Sequence, residues 1–260
     1  MYRRIDIGEL GLASEDVGEL VRAARKLGFR GLNVTHPCKQ LVVEHLDELS
    51  PDAEALGAVN TVVFSGGKAI GHNTDWPGFQ ENFARGLPDV SIERVVLVGA
   101  GGAGTAVAHA ALSLGVERLT VVDAAPERAD ALAASLRDRY GEGRAVSSPL
   151  DHLAEELRAA DGVINATPAG MQAHDGAAFS PDLLHPSLWV ADVVYRPLET
   201  ELLRHARQLG CRTLDGGGMA VFQAALSFAL FTGREPDRER MLRHFAALVQ
   251  APATASAEPR

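Results

Sequence analysis

The fold is decided by the stretch RVVLVGAGGAGTAVAHAAL, residues 94–112. Residues 95–98 form an apolar, mostly β-branched run, which is typical of a parallel strand buried on both faces. Gly99, Gly101 and Gly104 follow in the G-x-G-x-x-G spacing. In that spacing the first glycine permits a tight turn, the second lets the backbone approach a pyrophosphate, and the third brings the helix close to the strand. We therefore predict a strand, a turn and a helix whose N-terminal amides face a phosphate group.

A second strand is predicted over residues 119–122, and it ends in Asp123. This acid follows the last glycine by about 20 positions, where a carboxylate binds a ribose hydroxyl of a dinucleotide. A glycine pattern alone is weak evidence for a dinucleotide site, and the alternative is a βαβ unit that binds no ligand. The strand, glycines, helix, strand and acid in this order favour a dinucleotide site. The candidate cofactor residues of this unit are Gly99, Ala100, Gly101, Gly102, Ala103, Gly104, Asp123 and Arg128.

The flanking sequence predicts two domains. Helices over residues 126–140, 151–159 and 200–209 alternate with strands that begin at residues 162, 189 and 211, which indicates an α/β, doubly wound parallel sheet of the Rossmann-like type. Before it, strands over residues 2–7, 32–35 and 57–64, helices over 14–27 and 41–49, and a strand tip with a loop over 71–79 indicate a smaller α/β domain. We assign residues 1–80 to this smaller domain, 81–215 to the nucleotide domain, 216–250 to C-terminal helices, and 251–260 to a disordered tail.

The composition is that of an ordinary globular protein. The chain has 260 residues, 46% hydrophobic and 23% charged, with a net charge of −9, which disfavours nucleic acid and anionic membranes as partners. No run is long enough for a membrane span, and the start does not resemble a signal peptide. The two cysteines form no CxxC pair, so we expect a cytoplasmic protein. His36, His72 and His174 are scattered, so we expect no metal site.

Three polar clusters outside the glycine unit carry candidate chemistry. The first is Asn33, Thr35 and Lys39, the second Asn60 and Thr61, and the third residues 72–75, which end in Asp75. Taken singly, each residue fits turn chemistry or a solvated surface. Together they can bind a polyhydroxylated ring, with Lys39 and Asp75 as a proton-transfer pair.

The chain carries the motifs GLNVTHPCKQ, GAVNTVV, GHNTD, VGAGGAG, NATPAGM, DVVYRPLET and DGGGMAVFQA, in this order. Together they resemble the shikimate/quinate dehydrogenase family from Tyr2 to about Gly233. The resemblance implies reversible oxidation of the ring 3-hydroxyl of shikimate or quinate to the 3-keto acid, with hydride transfer to a nicotinamide cofactor. It implies that residues 1–80 form a substrate domain, that residues 216–250 form a C-terminal helical return packing on it, and that Lys39 is the acid/base group with Asp75 as its partner. A homodimer is one assembly to expect.

The same resemblance implies further site residues. Those matching positions that contact the substrate or shape its pocket are Asn33, Thr35, Asn60, Tyr195 and Gln223. Those matching cofactor contacts are Asn165, Thr167, Val193, Gly216 and Met219. NADP-using relatives carry Asn-Arg-Thr after the second strand, whereas this chain has Asp123-Ala124-Ala125. A carboxylate there repels a 2′-phosphate, so NAD is expected, while Arg128 keeps NADP open.

Alternative readings concern the cofactor, turnover and the substrate. They are an NADP-dependent biosynthetic shikimate dehydrogenase, a nucleotide-binding relative without turnover, and an aminoshikimate or other polyol dehydrogenase. Family members usually carry, before the position matching Tyr2, a strand and helix start with two Ser or Thr hydroxyls that grip the substrate carboxylate. Either the sequence is shortened, or the chain lacks that clamp; we therefore expect the chain as written to bind NAD but to turn over slowly.

Overall fold

The computed structural model describes residues 2–171 and 176–250, and it contains two sheets. The smaller sheet comes first in the chain. Its strands are β1 (Gly31–Asn33), β2 (Glu48–Leu49), β3 (Thr61–Ser65) and β4 (Lys68–His72). They lie in the order β1-β3-β4-β2, and only β2 and β4 pair in parallel. The register sets Asn33 opposite Thr61 and Thr61 opposite His72. Polar residues of three strands therefore lie at one end of this sheet.

The larger sheet is fully parallel and holds the glycine unit. Its strands are β5 (Arg94–Val98), β6 (Arg118–Val122), β7 (Ala145–Ser147), β8 (Gly162–Asn165), β9 (Trp189–Asp192) and β10 (Arg212–Leu214). They lie in the order β10-β9-β8-β5-β6-β7. The strand order reverses beside β5, which is the switch point where doubly wound folds bind ligands. The predicted fold class, including the Rossmann-like sheet, is confirmed.

Helices cover both faces of the larger sheet and connect it to the smaller one. They are α1 (Val17–Lys26), α2 (Pro51–Leu56), α3 (Asp75–Gly86), α4 (Gly102–Ser113), α5 (Pro126–Tyr140), α6 (Leu153–Arg158), α7 (Glu201–Gln208), α8 (Gly217–Thr232) and α9 (Arg238–Gln250). In β5, Val95 and Leu97 join one hydrophobic core and Val96 and Val98 join another. The alternation shows that both faces of the strand are buried, because successive side chains point to opposite faces.

Helices α3 and α8 cross closely and bring the C-terminal part of the chain to the cleft. A Cβ on Gly78 of α3 would lie 2.9 Å from the backbone nitrogen of Gln223 in α8, so only a glycine fits there without a shift. Because α3 also spans the predicted boundary at residue 80, one rigid helix joins the two predicted domains. The domain boundaries themselves stay a prediction.

Three predicted elements differ from the structure. Residues 2–7 form no strand but lead into a turn, and residues 41–49 form a short 3-10 helix (Val43–His45) followed by β2 rather than one helix. The loop expected over residues 71–79 ends early, because α3 begins at Asp75. The tail over residues 251–260 lies outside the described residues. Within the described part of the chain, no helix is both long and apolar enough to cross a membrane.

Candidate active site

A buried ion pair lies between the two sheets. Lys39 Nζ donates a hydrogen bond to Asp75 Oδ2 at 2.7 Å, and the two side chains are only 17% and 7% exposed. The structure therefore brings together the two residues that the sequence analysis selected as a proton-transfer pair. An amine and a carboxylate at this distance can exchange and orient a proton at a substrate hydroxyl.

The backbone around Lys39 is held on both sides. The Cys38 amide donates to the Thr35 carbonyl at 2.9 Å, which closes the turn after β1. The Val59 amide donates to the Lys39 carbonyl at 2.8 Å, which ties the turn to the segment before β3. Lys39 therefore extends from a fixed turn rather than from a free loop.

Asp75 is held by its neighbours at the start of α3. Its amide donates to Asn73 Oδ1 at 3.0 Å, which satisfies one of the free N–H groups at a helix N-terminus. Asn60 Nδ2 donates to Asp75 Oδ1 at 2.8 Å. One carboxylate oxygen thus faces Asn60 and the other faces Lys39, which gives the carboxylate a defined orientation.

Asn60 is itself oriented by three donors. It is 3% exposed, and its Oδ1 accepts from the Thr74 amide at 2.8 Å and from the Thr61 hydroxyl at 3.0 Å, with Thr74 Oγ1 at 3.2 Å. These donors place the NH₂ end of the side-chain amide toward Asp75. The predicted substrate residue Asn60 therefore also acts as a fixed support for the acid/base pair.

The glycine unit adopts the geometry that its spacing predicts. Gly99 has a φ of +106°, and its amide donates to the Val122 carbonyl at 2.8 Å. A Cβ on Gly104 would lie 1.9 Å from the Gly99 carbonyl oxygen, so helix α4 can start this close to β5 only with glycine there. A Cβ on Gly101 would meet no atom within 4 Å. Open space therefore lies over the N-terminus of α4, where backbone amides can bind a pyrophosphate.

The lysine and the glycine unit meet across the cleft. A Cβ on Gly102, the first residue of α4, would lie 3.5 Å from Lys39 Cβ and 3.7 Å from Lys39 Cδ. The Lys39–Asp75 ion pair therefore borders the predicted cofactor loop. The next residue, Ala103, continues the first turn of α4.

Asp123 accepts hydrogen bonds from both the glycine turn and the residue before α5. Its Oδ2 accepts from the Ala100 amide at 2.7 Å and its Oδ1 accepts from the Ala125 amide at 2.8 Å. The carboxylate is thus held directly after β6, beside the glycine turn. Arg128 lies exposed in the first turn of α5, close to this carboxylate in sequence.

A second group of predicted cofactor residues lies at the ends of β8 and β9. Asn165 is fully buried; its Nδ2 donates to Asp192 Oδ1 at 3.0 Å, and its Oδ1 accepts from the Thr167 amide and hydroxyl at 3.0 and 2.8 Å. The side chain of Asn165 is therefore fully engaged, and we expect it to act on a cofactor through Thr167. The Val193 amide donates to the Asn165 carbonyl at 3.0 Å.

Asp192 was missed by the sequence analysis. Its carboxylate also accepts from the Val194 amide at 3.0 Å and from the Thr200 hydroxyl at 2.7 Å, so it holds the loop that carries Val193 and Tyr195. Burial raises the pKa of Asp192 to about 6, which these hydrogen bonds only partly offset. The signal was present, since Asp192 is the polar last residue of the otherwise apolar strand β9, at the carboxyl end where such sheets bind ligands.

The remaining predicted residues differ in how deeply they are buried and in the contacts that they make. Gly216 caps α8, and a Cβ there would lie 2.3 Å from the Val193 carbonyl oxygen. Met219 is buried in the main core, and Gln223 Nε2 donates to the Ala220 carbonyl at 3.1 Å. Tyr195 and Thr35 are exposed.

Asn33 is engaged more fully than its predicted role in substrate binding requires. Its Nδ2 donates to the hydroxyls of Thr61 and Ser227 at 3.2 and 3.1 Å, and its Oδ1 accepts from the Tyr2 hydroxyl at 3.2 Å. The residue is nevertheless exposed, and its contact with a substrate stays a prediction.

Three protein-family models match the chain. Residues 2–62 match the shikimate dehydrogenase substrate binding domain, residues 81–175 match shikimate / quinate 5-dehydrogenase, and residues 216–244 match the shikimate 5′-dehydrogenase C-terminal domain. The chain belongs to the shikimate/quinate dehydrogenase family.

Some relatives in this family are named for NADP and others for NAD. A shikimate dehydrogenase (NADP(+)) of Streptomyces avermitilis is 66% identical, over 95% of this chain and 85% of the relative. A quinate/shikimate dehydrogenase (NAD(+)) of Corynebacterium efficiens is 51% identical, over 95% of this chain and 88% of the relative.

Solved structures of the family superpose well on this chain. Quinate dehydrogenase from Corynebacterium glutamicum in complex with NAD gives a TM-score of 0.86 at 49% identity, covering 95% of this chain and 88% of that one. The Thermus thermophilus shikimate 5-dehydrogenase in complex with NADP(H) and shikimate gives 0.78 at 35% identity, covering 93% and 90%.

The residues present fit a dinucleotide. The space above Gly101, the free N-terminus of α4 and the fixed Asp123 carboxylate are the features that such a cofactor needs. Within residues 2–171 and 176–250, no group of three His, Cys, Asp or Glu side chains is arranged to hold a metal ion. His174 lies outside that part of the chain.

Proposed function

We propose that this chain is an NAD(P)-dependent dehydrogenase that reversibly oxidises the ring 3-hydroxyl of shikimate or quinate to the ketone. The observation that carries the proposal is the buried contact of 2.7 Å between Lys39 Nζ and Asp75 Oδ2, beside the first residue of α4. Membership of the family supports the same reaction.

In the proposed reaction, Lys39 accepts the proton of the substrate hydroxyl and returns it in the reverse direction. A nicotinamide cofactor held at the glycine turn would supply the acceptor for the hydride that leaves the ring carbon. Lys39, in its neutral form, accepts the hydroxyl proton, and Asp75 orients the amine and stabilises the ammonium that forms. In the reverse direction the ammonium returns the proton to the carbonyl oxygen. Asn60 holds Asp75 throughout, so that the carboxylate does not turn away from Lys39.

We propose NAD as the preferred cofactor. The Asp123 carboxylate directly follows β6 and is held there by two backbone amides, where it can bind a ribose 2′-hydroxyl and repel a 2′-phosphate. NADP is the alternative, since a relative at 66% identity is named for it and Arg128 lies one turn into α5. The discriminating quantity is the ratio of kcat/KM for the two cofactors.

The test follows reduced nicotinamide by absorbance, with shikimate and quinate each paired with NAD and NADP. We expect turnover with at least one substrate, and a Lys39→Met loss of roughly 10²–10⁴ in kcat with NAD binding retained by calorimetry. Lys68→Met is the matched control, because Lys68 is exposed and paired with Glu48 at the far end of β4. Equal activity of both variants would contradict the proposal.

An amino analogue of the substrate, included in the series, tests the alternative polyol and aminoshikimate readings.

We further propose a cytoplasmic location, because Cys38 and Cys211 are buried and unpaired, as is typical of a reducing compartment. The homodimer stays a prediction that light scattering would test.

A further inference from the structure

A serine on the C-terminal helix lies inside the polar network of the site. Ser227 is 2% exposed, in α8, four residues after Gln223. Its Oγ lies 2.8 Å from Thr61 Oγ1 and 3.2 Å from Thr74 Oγ1, and it accepts from Asn33 Nδ2 at 3.1 Å. The neighbouring side chains Leu226 and Phe228 are apolar, so the hydroxyl is a polar interruption in an apolar helix.

A continuous path of hydrogen bonds leads from Ser227 to the acid/base pair. Ser227 contacts the Thr74 hydroxyl, and Asn60 Nδ2 donates to that hydroxyl at 2.8 Å. The same amide nitrogen donates to Asp75 Oδ1, and Asp75 Oδ2 accepts from Lys39. Every group on this path is buried except Lys39, which is half-buried, so water does not readily substitute for a missing partner.

The path matters because the Asn60 amide has two orientations. In the observed orientation its nitrogen faces the Asp75 carboxylate, whereas a flipped amide would set a carbonyl oxygen against it. The Thr74 backbone amide, which can only donate, and the Asp75 carboxylate, which accepts, select the observed orientation. The hydroxyls of Thr61 and Thr74 hold the amide in place, and Ser227 touches both of them. The Gln223 carbonyl oxygen lies 3.0 Å from the Ser227 hydroxyl and is the alternative acceptor for its single proton.

We infer that Ser227 is a positioning residue, which ties α8 to the Asn60 amide and thereby holds the Asp75 carboxylate toward Lys39. It touches neither substrate nor cofactor and acts through Asn60. The inference rests on the proposed acid/base role of Lys39 and Asp75. It also gives the C-terminal helical return a part in proton transfer, besides packing against α3.

The test is the pH profile of kcat in Ser227→Ala. Without the Ser227 hydroxyl, the Asn60 amide is held less firmly. The charge of the Asp75 carboxylate is then stabilised less by Asn60 and more by the Lys39 ammonium. We expect kcat at neutral pH to fall roughly tenfold, with KM for NAD unchanged, and the limb assigned to Lys39 to move to higher pH. Ser227→Thr keeps a hydroxyl and should return the limb toward its original position.

Thr232→Ala is the matched control. Thr232 lies on the same helix and makes the same kind of bond, from its hydroxyl to the Phe228 carbonyl at 2.7 Å, but it is exposed and outside the network. We expect it to leave both kcat and the limb unchanged. A Ser227→Ala enzyme whose thermal stability falls while its pH limb stays in place would overturn the inference. Full activity in Lys39→Met would instead overturn the proposed function, and this inference with it.

Discussion

Gly104 and Gly99 approach each other so closely that a Cβ on Gly104 would lie 1.9 Å from the Gly99 carbonyl oxygen. This contact joins the start of α4 to the end of β5 and shapes the predicted pyrophosphate loop. We expect Gly104→Ala to lower the free energy of unfolding by about 1–3 kcal/mol, because backbone must move to admit the methyl group. It should also weaken NAD binding. Urea unfolding and calorimetry measure the two effects.

Gly101→Ala provides the contrast within the same loop. Its φ is −78°, which alanine adopts, and its Cβ would meet nothing within 4 Å. The unfolding free energy should therefore change little, while NAD affinity falls because the methyl group enters the pyrophosphate space. Equal NAD affinity in Gly101→Ala and the unmodified chain would place the pyrophosphate elsewhere.

The Lys39–Asp75 pair should also contribute to the free energy of unfolding. Asp75→Ala leaves the Lys39 ammonium without its carboxylate in a half-buried place, so we expect about 2 kcal/mol of destabilisation in urea unfolding. Lys39→Met combined with Asp75→Ala should cost less than the sum of the single changes, since no unpaired charge remains. Glu199→Ala breaks the exposed pair with Arg207 and should cost at most about 1 kcal/mol. Additive single effects at Lys39 and Asp75 would rule out the coupling.

Cofactor preference should depend on Asp123. Asp123→Ser removes the charge that repels a 2′-phosphate and keeps a hydroxyl that can accept from one backbone amide. We expect the ratio of kcat/KM for NADP over NAD to rise about tenfold or more. Steady-state kinetics with both cofactors measure it. Glu127→Gln removes an exposed negative charge from the first turn of α5 and should leave the ratio unchanged. A ratio that responds equally to both changes would indicate a general charge effect.

Asp192 should give the protein a distinct pH dependence. Burial raises its pKa from 3.8 to about 6, so between those values the folded state holds a proton that the unfolded state has lost. Its contribution to stability is therefore full below about pH 4 and is lost as the pH rises through 6, on the order of 3 kcal/mol. Urea unfolding at pH 4.5, 5.5 and 7 (assay settings at roughly the two pKa values and above them) measures the slope.

Asp192→Asn should remove that slope. The amide oxygen can keep the contacts with Val194 and Asn165, and the amide nitrogen can donate to the Thr200 hydroxyl. We therefore expect the variant to be as stable as the unmodified chain or more so at neutral pH, with the difference shrinking toward pH 4.5 (roughly the unfolded pKa). Parallel pH curves for the two proteins would show that Asp192 does not titrate in this range.

Local patterns were sufficient for the first strand–turn–helix unit of the nucleotide domain, although they gave no strand where β7 lies. Residues 95–98 lie in a buried strand and Gly102 begins a helix, as the glycine unit predicts. The helix predicted over residues 126–140 has those bounds, with Pro126 in its first turn. In each case the interactions that define the element join residues close in sequence, so the pattern contains them.

Local patterns failed where a distant partner decides the structure. The helix predicted over residues 41–49 is replaced by β2, because the amides of Asp47 and Ser50 donate to carbonyls of Ala69 and Gly71 in β4. The start of α3 was placed too late, because the Asn73 side chain caps the Asp75 amide in a segment that resembles a loop.

Spacing along the chain was enough to specify the parallel sheet, the glycine turn and the acid that follows β6. The distances between polar residues of different elements depend instead on how those elements pack. Lys39 and Asp75 lie 36 positions apart, and Asn33 and Ser227 lie 194 apart. Their contacts arise because the polar ends of the small sheet, the first turn of α3 and the buried face of α8 pack against one another. Hydrogen bonds between such distant groups depend on the packing of whole elements, which no spacing along the chain records.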